Sequence, residues 1–221
     1  MLELDVIYNE DCLRGMARIP SQSIDMILAD LPRGRTFRSK DISIPPTELW
    51  QHYCRVIKDN GCIALFCDGM YMADLMTANR KMWRYKLIWD RVLADDSLNA
   101  DRQPLQQHEE VAIFYKNQPT YNPQEAPDDP NCPVKYPASI LHVPKLRKGT
   151  AKHPKQKPLA LMEYLIRTFT NEGDVVLDSC CGSGSTLVAA RNTGRQYIGF
   201  ELNRTHYTTA KMRLDDTPKA A

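Results

Sequence analysis

The stretch Asp174-Val-Val-Leu-Asp178-Ser-Cys-Cys-Gly182-Ser-Gly184-Ser-Thr186 decides the fold. The apolar residues before Asp178 are bulky or β-branched, which is typical of a strand buried on both faces. Asp178 stands where such a strand ends, and open α/β sheets bind ligands at that edge. Gly182 and Gly184 permit positive φ and let a ligand approach the backbone. Ser185 or Thr186 is then expected to begin a helix.

A second apolar run, residues 196–200, predicts a strand that ends at Glu201. A carboxylate about twenty residues beyond a glycine turn is the usual partner of ribose hydroxyls. A dinucleotide site is one alternative, but that pattern needs a third small residue, and Leu187 stands there. A plain strand-to-helix turn is another alternative. The strand, Asp178 and Glu201 together favour a nucleotide cofactor.

The composition is that of an ordinary globular protein. The 221 residues are 43% hydrophobic and 25% charged, with a net charge of +2, and that length suffices for one α/β domain. The charge neither requires nor excludes nucleic acid. Seven scattered cysteines without paired CxxC spacing predict no metal site and a reducing, cytoplasmic location. The apolar runs are only strand-length, so no membrane segment is expected.

The order of elements predicts a permuted sheet. Strands are expected at 4–8, 23–29, 62–67, 85–89, 110–115, 174–177 and 196–200, and helices at 12–19, 47–58, 70–80 and 159–170. Only one βα unit fits after the strand at 174–177, so the rest of the sheet must precede it. We therefore expect a single α/β domain, 1–221, with a Rossmann-like, mostly parallel seven-stranded sheet, helices on both faces and a circularly permuted order.

Residues 117–158 differ from the rest, because nine of the fifteen prolines fall there without a sustained period. This predicts an irregular insertion. Residues 215–221 are expected to form a flexible tail.

The permuted order, with its motifs, resembles the β-class amino-methyltransferases of DNA. These enzymes transfer a methyl group from S-adenosylmethionine to adenine N6 or cytosine N4, leaving S-adenosylhomocysteine. The resemblance covers nearly the whole chain and rests on five motifs in family order. They are Asp30-Leu-Pro-Arg33 for the catalytic Asp-Pro-Pro-Tyr, His108-Glu109, His153-Pro-Lys-Gln-Lys-Pro158, the 178–186 stretch for Asp-Pro-Phe-x-Gly-Ser-Gly-Thr-Thr, and Gly199-Phe-Glu201 for Gly-x-Glu.

The resemblance implies a role for each matching position. Asp30, Leu31, Pro32 and Arg33 would form the catalytic tetrad, with Asp30 and the Leu31 carbonyl accepting the N–H bonds of the target amine. Glu201 would bind the ribose, Asp11 and Cys12 would reach the adenine end, and Lys157, beside His153, would lie near the cofactor carboxylate. The full implied cofactor set is Asp11, Cys12, Asp30, His153, Lys157, Asp178, Ser179, Cys180, Gly182, Ser183, Gly184, Ser185, Thr186, Glu201 and Leu202.

The chain departs from the family chiefly at Arg33, where the family has a tyrosine that stacks on the flipped base. A guanidinium can also stack on an aromatic plane, or it can bind phosphate. The basic residues suggest two banks of a DNA groove. The resemblance implies that residues 117–150 are a small target-recognition segment. The implied DNA-binding residues are Arg35, Arg38, Lys40, Lys145, Arg147, Lys148 and Lys152.

Three hypotheses about the function are compatible with the sequence. The first is an adenine-N6 DNA methyltransferase, of an orphan or phage type by analogy with its small size, or one half of a restriction–modification pair. The second is a non-catalytic module that binds DNA or the cofactor, suggested by Arg33. The third is a cytosine-N4 or RNA methyltransferase. The family also makes a homodimer possible.

Overall fold

The computed structural model describes residues 2–32, 44–94, 100–124, 136–146 and 156–217. The strands are β1 (Val6–Tyr8), β2 (Ile24–Asp30), β3 (Ile57–Cys67), β4 (Trp83–Asp90), β5 (His108–Phe114), β6 (Ile140–His142), β7 (Val175–Asp178) and β8 (Gln196–Phe200). The helices are α1 (Cys12–Ala17), α2 (Pro46–Val56), α3 (Gly69–Ala78), α4 (Leu159–Phe169), α5 (Ser185–Asn192) and α6 (Arg204–Asp215).

The strands form one sheet in the order β1-β8-β7-β2-β3-β5-β4-β6. All neighbouring pairs are parallel except those of β5, which runs antiparallel to β3 and to β4. The late strand β7 therefore lies beside the early strand β2, which confirms the permuted order. The described sheet has eight strands where the sequence predicted seven.

The two faces of the sheet carry separate cores. Side chains of α4, α5 and α6, such as Leu165 and Leu187, pack on one face together with Val176 of β7. Side chains of α1, α2 and α3, such as Leu49, pack on the other face with Leu177. Alternate residues of β7 thus pack in opposite cores, and for this reason the sequence of the strand is continuously apolar.

Two segments differ from the sequence prediction. Residues 140–142 lie within the segment expected to be irregular, yet they pair with β4, and Leu141 and the following Val143 are buried. Helix α2 ends at Val56, and β3 already begins at Ile57 and continues through Gly61. The predicted helix at 47–58 is therefore two residues too long, and Gly61, where a Cβ would lie 2.8 Å from the Asp25 carbonyl oxygen, permits close contact between the strands.

Residues 215–217, the first part of the predicted tail, lie at the end of α6. Asp215 is still helical, and the Thr217 carbonyl accepts a hydrogen bond from Arg191. Residues 218–221 lie outside the described part of the chain.

Candidate active site

Asp30 and Asp178 lie at the same edge of the sheet. β2 and β7 are parallel neighbours, with Met26 opposite Val176 and Ile27 opposite Leu177. Each aspartate ends its strand, so both carboxylates belong to the carboxyl edge, where α/β sheets bind ligands. Asp30 and the glycine turn after Asp178 therefore lie at the same edge of the sheet.

The turn after β7 has the backbone geometry expected of a ligand cradle. Gly182 has φ 53° and Gly184 has φ 79°, both in the left-handed region. A Cβ at Gly182 would meet no atom within 4 Å, whereas one at Gly184 would lie 2.9 Å from Cβ of Ala210 on α6. The turn is therefore open on one side and pressed against α6 on the other.

Glu201 closes this turn from the adjacent strand. Its Oε2 accepts the Gly182 N–H at 2.8 Å, and its Oε1 accepts the Asn203 N–H at 2.7 Å. Asn9, at the end of β1, donates to the carbonyl oxygens of Glu201 and Leu202. The Leu202 side chain itself is 67% exposed, which leaves an apolar surface beside the carboxylate.

Asp178 is almost fully buried, at 3% exposure. Burial raises the pKa of its carboxyl to about 7, and the charges of Asp30 and Glu201 act in the same direction, against hydrogen bonds from Thr186 and the Cys180 N–H. Three carboxylates thus converge on this edge. A ligand with positive charge would relieve their repulsion and restore the ionised form of Asp178.

The residues after Asp178 attach the turn to the first half of the chain. Tyr53 Oη and Ser179 Oγ are 2.6 Å apart, and both side chains are buried. A hydrogen bond with Cys12, together with burial, raises the pKa of the Cys180 thiol well above its usual value. The predicted cofactor residues Cys12, Ser179 and Cys180 therefore do come together.

The serine hydroxyls of the turn contact the protein itself. Arg213 Nη1 donates to the Ser183 carbonyl at 2.5 Å and to the hydroxyls of Ser183 and Ser185 at 3.1 and 3.2 Å. Thr186 Oγ1 lies 3.5 Å from the Leu28 carbonyl oxygen. The side chains of Ser183, Ser185 and Thr186 therefore contact other parts of the protein. The backbone of the turn is left to contact a ligand.

Asp11 has a structural duty in the described fold. Its Oδ1 accepts the Leu13 and Arg14 N–H groups and so caps α1. The cap fixes the start of α1, and thereby Cys12, beside the turn after β7.

At the end of β2 the carboxylate of Asp30 is partly exposed, and the next residue, Leu31, is buried. Leu31 is 2% exposed, and its side chain packs in the core. Its backbone carbonyl is therefore the group that could contact a substrate. Pro32 follows it in the chain. The Asp30 side chain is 26% exposed, and its Oδ2 lies 3.0 Å from Lys157 Nζ. Lys157 also donates to Glu109 Oε2 at 2.7 Å.

Several predicted residues lie outside the described part of the chain: Arg33, Arg35, Arg38, Lys40, Arg147, Lys148, Lys152 and His153. Of the predicted DNA contacts the structure describes Lys145, whose Nζ donates to the Ala94 carbonyl at 2.8 Å.

Three residues that shape the site belong to none of the sequence motifs, namely Asn9, Tyr53 and Arg213. Glu109, the partner of Lys157, belongs to the His108-Glu109 motif. No local sequence pattern indicates the contacts of Arg213 and Tyr53, because they join residues that are 30 and 126 positions apart in the chain.

The described residues contain no helix long and apolar enough to span a membrane, and no group of three or more metal-binding side chains.

Known proteins share both the sequence and the architecture. The family model for DNA methylases of the N6/N4 class matches residues 39–212. YubD of Escherichia coli (strain K12), whose provisional name is methylase, is 30% identical over 95% of this chain and 90% of its own. The DNA adenine methyltransferase YhdJ of the same strain is 25% identical over 96% of this chain and 83% of its own.

A solved structure gives the same result. The complex of M1.HpyAVI with S-adenosylmethionine superposes with a TM-score of 0.74 at 26% identity, over 95% of this chain and 98% of that one. The fold is therefore that of S-adenosylmethionine-dependent methyltransferases. With the family model matching well over half of its length, the chain belongs to the N6/N4 family of DNA methylases.

Proposed function

We propose that the protein transfers a methyl group from S-adenosylmethionine to the exocyclic amine of a flipped DNA base, most specifically to adenine N6. The observation that carries the proposal is that Asp30 and the turn after Asp178 end adjacent parallel strands. A target amine held at Asp30 therefore lies next to a cofactor held in the turn. Membership of the N6/N4 family supports the same reaction.

The donor set suits this cofactor. When bound, S-adenosylmethionine supplies an electrophilic methyl group on a sulfonium, and it also carries an ammonium group. Positive charge matches the edge where Asp178, Asp30 and Glu201 converge and where the pKa of Asp178 is raised to about 7. Glu201 holds the Gly182 N–H and retains lone pairs for ribose hydroxyls. The apolar Leu202 side chain lies next to it.

The protein's part in the chemistry is placement. The amine of a nucleobase is a poor nucleophile because its lone pair is delocalised into the ring. Asp30 and the Leu31 carbonyl accept hydrogen bonds from its two N–H groups and favour a pyramidal nitrogen. Preorganised acceptors of this kind supply most of the rate gain in such a transfer.

The base must leave the stack before Asp30 can reach it, which costs a few kcal/mol. Arg33, directly after Pro32, is the residue that we assign to stack on the extruded base. We assign the phosphates of DNA to the basic residues that the sequence has between 35 and 40 and between 145 and 152.

The experiment is transfer of a radiolabelled methyl group from S-adenosylmethionine to mixed-sequence DNA. We expect incorporation by the native chain and a loss of at least about 100-fold in the Asp30→Asn variant, which keeps the size of the side chain but not its charge. Asp74→Asn is the matched control, because Asp74 is exposed on α3. No incorporation at saturating cofactor and DNA contradicts the proposal.

The methylated nucleoside identifies the target. Digestion of the product and mass spectrometry should give N6-methyladenine, in line with the adenine specificity in the name of YhdJ. N4-methylcytosine would assign the other branch of the family, and methylation of a matched RNA in preference to DNA would change the substrate class.

A second candidate is a non-catalytic module that binds cofactor or DNA, favoured by Arg33 in the tyrosine slot. The Arg33→Tyr variant separates the two. Activity that arises only in the variant assigns the native chain to the binding module, whereas activity already present in the native chain removes that candidate.

We also propose that residues 1–221 act as one domain, with residues 117–150 contacting the target sequence, and that two copies associate. Analytical ultracentrifugation with and without DNA measures that association, and a sedimenting monomer under both conditions contradicts it.

A further inference from the structure

A line of alternating charges runs inward from Asp30. Lys157 Nζ lies 3.0 Å from Asp30 Oδ2 and 2.7 Å from Glu109 Oε2. Arg91 Nη1 lies 3.8 Å from Glu109 Oε1. The side chains of Lys157, Glu109 and Arg91 are 9, 14 and 7% exposed, and that of Asp30 is 26% exposed. The carboxylate assigned to the chemistry is thus the open end of a buried series.

Each member of the series comes from a different part of the fold. Asp30 ends β2, Glu109 lies in β5, Arg91 follows β4, and Lys157 precedes α4. The ammonium of Lys157 also lies over two rings, 4.8 Å from the centroid of Phe66 and 5.6 Å from that of Trp89. Packing against those rings keeps water away and leaves the two carboxylates as the groups that determine the position of Lys157.

We propose that Glu109 is a positioning residue for the methyl transfer, acting through Lys157 to fix the carboxylate of Asp30. This inference rests on the proposed function. Lys157 donates to Oδ2 and thereby restrains the carboxylate of Asp30. Glu109 holds the ammonium in place from behind, and Arg91 in turn holds Glu109.

The electrostatics agree with this geometry. Burial lowers the pKa of Lys157, but the charges of Asp30 and Glu109 and their hydrogen bonds outweigh it, so the pKa is raised. Among the described residues, the charged groups that face the ammonium are Asp30 from β2 and Glu109 from β5, and Arg91 lies beyond Glu109. Without Glu109, Lys157 loses one of its two anionic partners, and it deprotonates at a lower pH.

The test is Glu109→Gln, which keeps the size of the side chain and removes its charge. Glu110→Gln is the matched control, because Glu110 is the next residue of β5 and pairs with Lys86 at the protein surface. In Glu109→Gln we expect kcat to fall by roughly 10- to 100-fold, the effect of a misplaced reacting group. Because Lys157 must stay protonated to hold Asp30, kcat should fall at high pH, and this fall should begin at a lower pH in Glu109→Gln than in the native chain.

A second measurement does not depend on catalysis. The ammonium resonance of Lys157, assigned by its loss in Lys157→Arg, should titrate in the native chain at a higher pH than an ordinary lysine. It should shift to lower pH in Glu109→Gln. If that variant fails to fold, the native chain decides alone, since a Lys157 that titrates at or below the ordinary value overturns the inference.

The outcomes separate this inference from the proposed function. A native chain that methylates no nucleic acid overturns the proposed function and the positioning role with it. An active native chain whose Glu109→Gln variant behaves like Glu110→Gln overturns the positioning role alone.

Discussion

The phenol oxygen of Tyr53 lies 2.6 Å from the hydroxyl oxygen of Ser179, and this hydrogen bond joins helix α2 to the turn that follows β7. Tyr53 is fully buried and Ser179 is 2% exposed. Burial raises the pKa of Tyr53 well above its usual value, so the phenol stays neutral. The bond therefore ties the cofactor half of the chain to the half that carries Asp30.

Removing the hydroxyl group of Tyr53 should loosen the turn without leaving a large cavity. We expect Tyr53→Phe to lower the free energy of unfolding by about 1–2 kcal/mol, because it leaves the buried Ser179 hydroxyl with one partner fewer. Urea denaturation measures the loss. Tyr8→Phe is the control, since in the described part of the chain the Tyr8 hydroxyl bonds the exposed main chain of Glu3. Equal effects of the two substitutions would contradict the role given to Tyr53.

Arg213 braces the glycine turn from the opposite side. Its guanidinium contacts the Ser183 carbonyl and the hydroxyls of Ser183 and Ser185, and it is 8% exposed. We expect Arg213→Met to reduce the stability by about 1.5–3 kcal/mol, as for hydrogen bonds to a charged group. The dissociation constant for S-adenosylmethionine should rise about tenfold, because the turn is no longer held in its binding geometry.

Calorimetric titration and chemical denaturation measure these two effects of Arg213→Met. Lys211→Met is the control, since Lys211 is exposed on the same helix. An unchanged cofactor affinity in a folded Arg213→Met protein would show that the turn keeps its geometry without this brace.

The sheet was predictable where its strands are long or continuously apolar. β7 and β8 have that pattern, and the shared edge of Asp30 and Asp178 follows from parallel pairing. β6 was missed because it is three residues long, lies in a proline-rich segment and exists through its pairing with β4. Neither length nor periodicity indicates such a strand.

The contacts that support the site were less predictable than its motifs. Lys157 and Glu109 belong to two recognised motifs, but they stand 48 residues apart, and the motifs do not state that the side chains meet. The same holds for Tyr53 and Ser179, 126 residues apart. Tertiary packing decides these pairs, whereas the residues of the 178–186 turn are decided locally.

The buried carboxyl of Asp178 should make stability depend on pH. Its folded-state pKa is raised from 3.8 to about 7, so between these values the folded protein binds a proton that the unfolded chain has released. Stability therefore falls as pH rises through this window and stays low above it. The loss attributable to Asp178 between pH 5 and pH 8 should be on the order of 2–3 kcal/mol.

Comparison with Asp178→Asn isolates this contribution, since the amide keeps an acceptor for the Cys180 N–H. Urea denaturation of cofactor-free protein at pH 5 and pH 8 should show the native chain losing more stability than the variant. A native chain that gains stability relative to Asp178→Asn as pH rises would contradict the raised pKa.

The two glycines of the turn should respond differently to a methyl group. Gly182 and Gly184 both have positive φ, so alanine costs roughly 1 kcal/mol of backbone strain at either position. At Gly184 the new Cβ would also lie 2.9 Å from Cβ of Ala210, whereas at Gly182 it would meet nothing within 4 Å. We expect Gly184→Ala to be less stable than Gly182→Ala by about 1–3 kcal/mol, the usual cost of overpacking.

The double variant Gly184→Ala with Ala210→Gly tests that explanation. Removing the Ala210 methyl group relieves the contact and leaves the φ strain, so the penalty of the alanine at 184, measured in the Ala210→Gly background, should fall to that of Gly182→Ala. Denaturation of the four proteins in this cycle gives the coupling free energy between the two sites. Additive effects would mean that α6 moves aside freely, and the close approach of α6 would then not be what requires glycine at 184.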